Sequence, residues 1–154
     1  MNFVSVLFLS TFTNKIDVKG RVSMPADFRD LVARSNETGI IIYKTFDKQC
    51  LSGCMMPYFM KLSEAISNNF DPFSKENDYF NTAIFADSVA LEIDKDGRIN
   101  IPKKYTQYAN ISDLATFVGK GQTFEIWNPT DYEKYYEESR KYAIEHRSEI
   151  KYSK

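Results

Sequence analysis

Residues 16–25 read IDVKGRVSMP, and residues 93–102 read IDKDGRINIP. At a constant offset of 77, Ile16, Asp17, Gly20, Arg21 and Pro25 recur as Ile93, Asp94, Gly97, Arg98 and Pro102. Val22 and Met24 are matched in apolar character by Ile99 and Ile101. A second correspondence follows in the same order, with KQCLSGCMMP at 48–57 lying over GQTFEIWNPT at 121–130 at offset 73. Self-similarity in constant order marks an internal duplication. Each copy takes up about half of the 154 residues, and the connector inside the first is about four residues longer.

The local chemistry of the repeated stretch predicts a hairpin. Asp at the first position and Gly at the fourth of DVKG and DKDG fit a turn in which the Asp side chain bonds nearby amides and Gly takes the left-handed conformation. RVSM and RINI then alternate polar and apolar, which puts Val22, Met24, Ile99 and Ile101 on one strand face and Arg21 and Arg98 on the other. Pro25 and Pro102 end these strands and are pre-set for a helix start. Phe28, Leu31 and Val32 follow at helical spacing, as do Tyr105, Tyr108 and Ala109. Each copy closes with returning apolar strands, 40–43 with 49–54 in the first and 115–118 with 122–127 in the second.

Between the copies, Phe59, Leu62 and Ile66 predict a helix over 57–67, with Asp71 as the cap and Pro72 as the start of a second helix through Phe73, Phe80 and Ile84. A charged helix with Tyr132, Tyr135 and Tyr136 is predicted over 131–149, capped by Thr130. With no Gly/Ser-rich linker, the expectation is one domain built of two repeats, about 8–54 and 85–132, with a helical connector over 57–86.

Composition narrows the function. The 20 basic and 21 acidic residues leave a net charge of -1, so no global field draws a single chain to nucleic acid or anionic lipid, and any such binding is local or multivalent. The charge is uneven: residues 1–50 hold 7 basic and 5 acidic groups, whereas residues 51–90 hold 2 and 5. The opening MNFVSVLFLS is too short to span a bilayer and lacks the pattern of a secretory signal, which suggests a cytoplasmic protein with reduced thiols. Cys50 and Cys54 have no second Cys or His pair to complete a zinc site, and His146 is the only histidine. DKDG opens like a calcium loop, but the later ligands are missing. No phosphate loop or dinucleotide fingerprint occurs. These absences argue against an enzyme and against a cofactor, a metal or a small-molecule substrate.

The arginine that ends each turn stands on a stiff ribbon, pointing away from the core. Arg21 admits two readings: an exposed ion pair with Asp17 that contributes little, or a contact to DNA phosphates or base edges, with Lys15, Lys19 and Arg29 crowding the same end. For Arg98, set between Asp94 and Asp96, pairing is favoured; Lys103 and Lys104 offer a second, weaker basic edge.

The stretches FTNKIDVKGRVSMPADFR, FADSVALEIDKDGRINIPKKY and LATFVGKGQTFEIWNP together resemble the MraZ family, relatives of the AbrB-type swapped-hairpin DNA-binding proteins, from about Phe8 to Tyr132. The resemblance implies an α+β fold in which the two copies intertwine as a pseudo-dimeric, duplicated swapped-hairpin β-barrel with peripheral helices, and subunits that close into a homo-oligomeric ring. It implies a nucleoid-associated transcriptional regulator that represses its own division and cell-wall gene cluster by binding short direct repeats in double-stranded DNA. The DNA contacts it carries over fall on Arg21 above all, then Lys19, Lys15 and Arg29; Asp17, Gly20, Asp94, Gly97 and Arg98 form the motif turns. Residues 1–7 precede the family's usual beginning. An oligomeric scaffold for protein partners, with incidental DNA affinity, is the competing function.

Overall fold

The computed structural model describes residues 5–153. The first copy runs β1 (Thr11–Lys15), β2 (Arg21–Ser23), α1 (Ala26–Arg34), β3 (Gly39–Lys44) and β4 (Leu51–Cys54). Two helices, α2 (Met56–Asn69) and α3 (Lys75–Asn81), and a π-helical turn (Thr82–Ala86) lead to the second copy. That copy runs β5 (Ser88–Glu92), β6 (Arg98–Asn100), α4 (Lys103–Tyr108), β7 (Leu114–Gly119) and β8 (Phe124–Trp127), and α5 (Pro129–Glu145) follows. The two copies thus repeat strand for strand, with β1, β2 and the start of α1 matched by β5, β6 and the start of α4 at the offset of 77.

The pairing joins each copy to the other. Six strands form an antiparallel sheet in the order β1-β7-β8-β4-β3-β5, and β2 pairs with β6 in a separate two-stranded ribbon. The first strand of each copy therefore lies against the third strand of the other, Phe12 opposite Phe117 and Ile41 opposite Ala90. A closed barrel is not formed among the described residues, because β1 and β5 are the edges of the sheet. Those edges run instead into the two turns that launch the ribbon, joined to it by an isolated bridge between Ile16 and Val22 and by the Asp94 amide donating to the Arg98 carbonyl at 2.9 Å.

Alternation decides which side chains enter the core. Val22, Met24, Ile99 and Ile101 are each 1% exposed, while Arg21, Ser23 and Asn100 face solvent and Arg98 is half-exposed. The main core is shared by both copies: Phe8 and Phe28 from the first meet Phe124 from the second, with ring centroids 5.0 and 4.9 Å from Phe8, in the edge-on geometry that aromatic quadrupoles favour. A second cluster of Ile41, Cys54, Phe59, Ile66 and Ile84 seats α2 and the π turn on the sheet. A third, Cys50, Val118 and Trp127, is covered by Tyr132 and Tyr135 of α5.

Two helix starts and one helix end differ from the sequence expectation. Ser74, rather than Asp71, caps α3, its hydroxyl accepting from the Asn77 amide at 3.1 Å, while Asp71 is used in the preceding turn to bond the Phe73 amide. Phe73 is consequently outside the helix and fully exposed. The carboxyl-terminal helix begins earlier than predicted, because Asn128 caps it through the Asp131 amide at 3.0 Å with Pro129 as its first residue, leaving Thr130 inside. It also ends earlier, at Glu145, followed by a short 3-10 turn (Arg147–Glu149).

Both turn glycines have positive φ, +88° at Gly20 and +79° at Gly97. A methyl group at Gly20 would run into the backbone carbonyl of Ile101, whereas at Gly97 it would meet the Arg29 side chain, which can swing aside. Gly20→Ala is therefore expected to destabilise the protein by about 2 kcal/mol or more and Gly97→Ala by about 1–2 kcal/mol, the cost of a left-handed alanine. Urea unfolding of the two variants checks the ranking, and an equal or reversed order overturns the argument.

Candidate nucleic-acid interface

Each turn is built around one carboxylate. Asp17 Oδ1 accepts from the amides of Lys19 at 3.0 Å and Arg21 at 2.9 Å, and its Oδ2 accepts from Arg21 Nε at 2.8 Å. Asp94 does the same for Asp96 at 2.8 Å, Arg98 at 2.9 Å and Arg98 Nε at 3.2 Å. Amide bonds to the charged form, first among them that of the arginine in each turn, hold both aspartates below the ordinary carboxylate range despite the opposing effect of desolvation. The aspartate thus fixes the guanidinium by one edge and leaves its outer edge to solvent. Among the described residues, the Arg21 Nη nitrogens have no hydrogen-bond acceptor, and the Arg21 side chain is 41% exposed. The second turn differs, since Arg98 Nη2 also donates to Asp96 Oδ2 at 3.4 Å.

The ribbon brings the two arginines together. Arg21 stands opposite Asn100 and Ser23 opposite Arg98, so all four occupy the outer face, with the arginines as diagonal neighbours about 7–8 Å apart at Cα. Sequence reading ranked Arg98 below Arg21 and gave Ser23 and Asn100 no role; only the register of β2 on β6 puts the four on one surface.

The fold also redistributes the basic residues. Lys15 and Lys19 are exposed around the Asp17–Arg21 turn. Arg29, grouped with them in sequence, is not there: its guanidinium packs over Gly97 at the other turn, with a buried Nε that lacks a partner. The reason is the ribbon itself. β2 leaves its own turn and runs to the other, where the Met24 amide donates to the Gly97 carbonyl at 2.9 Å, so the helix that follows starts at the wrong end for Arg29 to join Lys19. Reciprocally, the Ile101 amide donates to the Gly20 carbonyl at 2.8 Å, and α4 brings Lys103 to the first turn. Lys19, Gly20, Lys103, Thr106 and Gln107 line a cleft there of about 360 Å³. Lys104 is used otherwise, paired with Asp87 at 3.2 Å.

Elsewhere, burial pushes the Cys50 and Cys54 thiols up to about 12, which leaves them protonated at neutral pH and unsuited to nucleophilic or metal-binding work. No group of three or more metal-ligating side chains occurs among the described residues, and no helix among them is long and apolar enough to cross a membrane.

Fold and surface together define an α+β protein of two interlocked copies that offers a stiff, arginine-bearing β-ribbon to solvent. A family model described as "MraZ protein, putative antitoxin-like" matches residues 84–151. The chain is 41% identical over 148 residues to the transcriptional regulator MraZ of Pelagibacter ubique, covering 96% of this chain and 95% of that protein. It is 39% identical over 141 residues to the protein of that name from Rickettsia canadensis, covering 92% and 94%. The chain belongs to the MraZ family.

The carboxylate clamps set a pH dependence. Because folding lowers the pKa of Asp17 and Asp94, their contribution is fully present above the unfolded value of about 3.9 and is lost as pH falls through the lower folded value. In an NMR titration the amide signals of Lys19, Arg21, Asp96 and Arg98 are expected to move with midpoints below about 3.9. Midpoints at or above that value would mean the bonds do not persist in solution.

Proposed function

We propose that this protein is a transcriptional regulator that binds double-stranded DNA through the outer face of the β2–β6 ribbon. The observation that carries the reading is the pair of clamped arginines, Arg21 and Arg98, on one face of an exposed two-stranded ribbon with Ser23 and Asn100 between them. A ribbon of this width fits the major groove, where arginine reads guanine and asparagine reads adenine by hydrogen bonds to base edges. Lys15, Lys19 and Lys103 then lie where phosphates run and fix the register without reading sequence. The names of the relatives support regulation rather than catalysis.

The exchange of first strands between copies supports a swapped-hairpin pseudo-dimer within one domain, its repeats spanning about 8–54 and 85–132. Subunits assemble into a homo-oligomeric ring. A near-neutral chain binds weakly through one tip, and several linked chains engaging successive direct repeats about 10 bp apart raise the affinity through effective concentration. Exposed Phe46, Met60, Phe73 and Tyr79 on and around the α2–α3 side supply apolar surface for such assembly. The target in this reading is the short direct repeats upstream of the protein's own division and cell-wall gene cluster, which it represses, in the nucleoid of the cytoplasm. Arg29 is withdrawn from the DNA surface and supports the second turn.

Arg21→Ala is expected to lower affinity for a duplex of the DNA upstream of its gene by about tenfold or more, with assembly mass by light scattering unchanged. Arg98→Ala costs less, because Asp96 already occupies part of its guanidinium. Raising salt from about 50 to 200 mM is expected to weaken wild-type binding at least ~tenfold through counterion release. Full retention of affinity by Arg21→Ala would remove the ribbon as the DNA surface, and equal affinity for random duplex favours the scaffold reading.

A further inference from the structure

The first turn carries one side chain that its own fold does not use. Val18 sits at the tip of Asp17–Gly20, fully exposed, while the valine that follows it on the ribbon, Val22, is 1% exposed. The corresponding residue of the second turn is Lys95, so the apolar tip belongs to one copy only.

Its position is fixed. The Asp17 amide donates to the Arg21 carbonyl and the Gly20 amide to the Asp17 carbonyl, both at 3.0 Å, and the Asp17 carboxylate holds the amides on either side of Gly20. A β-branched side chain adds little motion of its own, because it is stiff at χ1. The two methyl groups of Val18 therefore project as a rigid apolar knob.

The surroundings select the partner. Lys15, Lys19 and Arg21 flank the knob in sequence, and Lys103 shares the adjacent cleft with Lys19. A surface that faces this many cations is anionic, and an apolar knob among them needs an apolar group set within an anionic surface. The major groove of DNA provides one, the 5-methyl group of thymine.

We propose that Val18 packs against a thymine 5-methyl group in the major groove and thereby sets a base preference at one position of each bound repeat. The inference rests on the DNA-binding reading of the ribbon and adds a readout that the arginines do not supply. Methyl recognition is insensitive to salt and to hydrogen-bond geometry; it depends on the presence of one carbon atom on the base.

That carbon can be removed without disturbing base pairing. A duplex of the DNA upstream of the gene is prepared with thymines replaced one at a time by deoxyuridine, and binding of the full-length protein is followed by fluorescence anisotropy. A single replacement at a contacted position is expected to lower wild-type affinity about fourfold, the worth of one buried methyl-sized group. Val18→Ala is expected to bind the unmodified duplex with a loss at least as large and to be indifferent to that replacement, with unchanged thermal stability and assembly mass. Persistence of the deoxyuridine effect in Val18→Ala, or no effect of any replacement on wild type, overturns the inference while leaving the ribbon as a DNA surface. A reduced assembly mass for Val18→Ala together with deoxyuridine-insensitive wild type assigns the knob to a neighbouring copy and likewise overturns it. Failure of the wild type to prefer the unmodified duplex over random DNA removes the underlying reading itself.

Discussion

Two backbone hydrogen bonds hold the architecture in place, Met24 to the Gly97 carbonyl and Ile101 to the Gly20 carbonyl. Each ties the end of one copy's ribbon strand to the turn of the other. Both turns place glycine in the left-handed region at the fourth position, and at Gly20 the close approach of the Ile101 carbonyl leaves no room for a Cβ. They also dictate where everything downstream goes. With β2 and β6 exchanged, α1 starts at the second turn and α4 at the first, and the first strand of each copy is delivered to the edge of the other's sheet. A copy alone would leave Phe28 without Phe117 and Phe124, so the aromatic core and the exchange stand or fall together.

Local signals in the sequence were sufficient for the turns, the ribbon alternation and the helix faces, because each depends on residues within a few positions of one another. Asp17, Gly20 and Pro25 specify a turn, a positive φ and a strand end whatever the rest of the chain does. Phe28, Leu31 and Val32 are buried as their spacing requires. What periodicity could not express was partner choice: nothing in residues 11–15 distinguishes β7 from β3 as a neighbour. That one missing fact accounts for the misplacement of Arg29, since a reader who assumes that a helix stays near its own hairpin puts Arg29 beside Lys19. It also hid Ser23 and Asn100, and it hid that Lys103, read as part of a second basic edge, joins the first turn. The helix caps failed for a different reason, because Asp71 and Ser74, or Asn128 and Thr130, are chemically equivalent candidates a few residues apart, and only the path of the backbone chooses between them.

The sheet also contains a buried polar group whose role is to hold α5. Glu125 is 6% exposed, yet its carboxylate accepts from Trp127 Nε1 at 3.0 Å and pairs with Lys48, while Lys120 lies 3.6 Å away. Burial pulls the Lys48 ammonium toward a lower pKa, and the hydrogen bond and charge of Glu125 outweigh it, so the group is held above its usual range. Lys48 and Lys120 in turn lie over the Tyr135 ring, which stacks on Trp127 at 5.0 Å. A buried charge of this kind costs desolvation that is recovered only with full pairing. Here the pairing joins Glu125 of β8 to lysines in the loops before β4 and β8, and the Tyr135 ring beneath both lysines ties the terminal helix to the sheet without any fully buried residue of its own.

The duplication is accurate in the backbone and broken in the side chains, and the break falls where the ribbon meets solvent. A pseudo-two-fold unit with equal tips would suit inverted half-sites, since symmetry in the protein matches symmetry in the duplex. These tips are unequal. At the first, Lys19 and Lys103 add positive charge, Arg21 keeps its outer edge free, and Thr106 leaves an open cleft beside Gly20. At the second, Asp96 stands where Lys19 would, Arg98 is held by two carboxylates, and Arg29 stands in the position of Thr106 and covers Gly97. Backbone geometry therefore conserves two presentations while charge favours one, and on the proposed DNA-binding reading a unit with one favoured tip would have a direction along the duplex. In the proposed ring, sites bound by such units would all point the same way, which is the relation between a rotationally assembled protein and a direct, rather than inverted, array of sites.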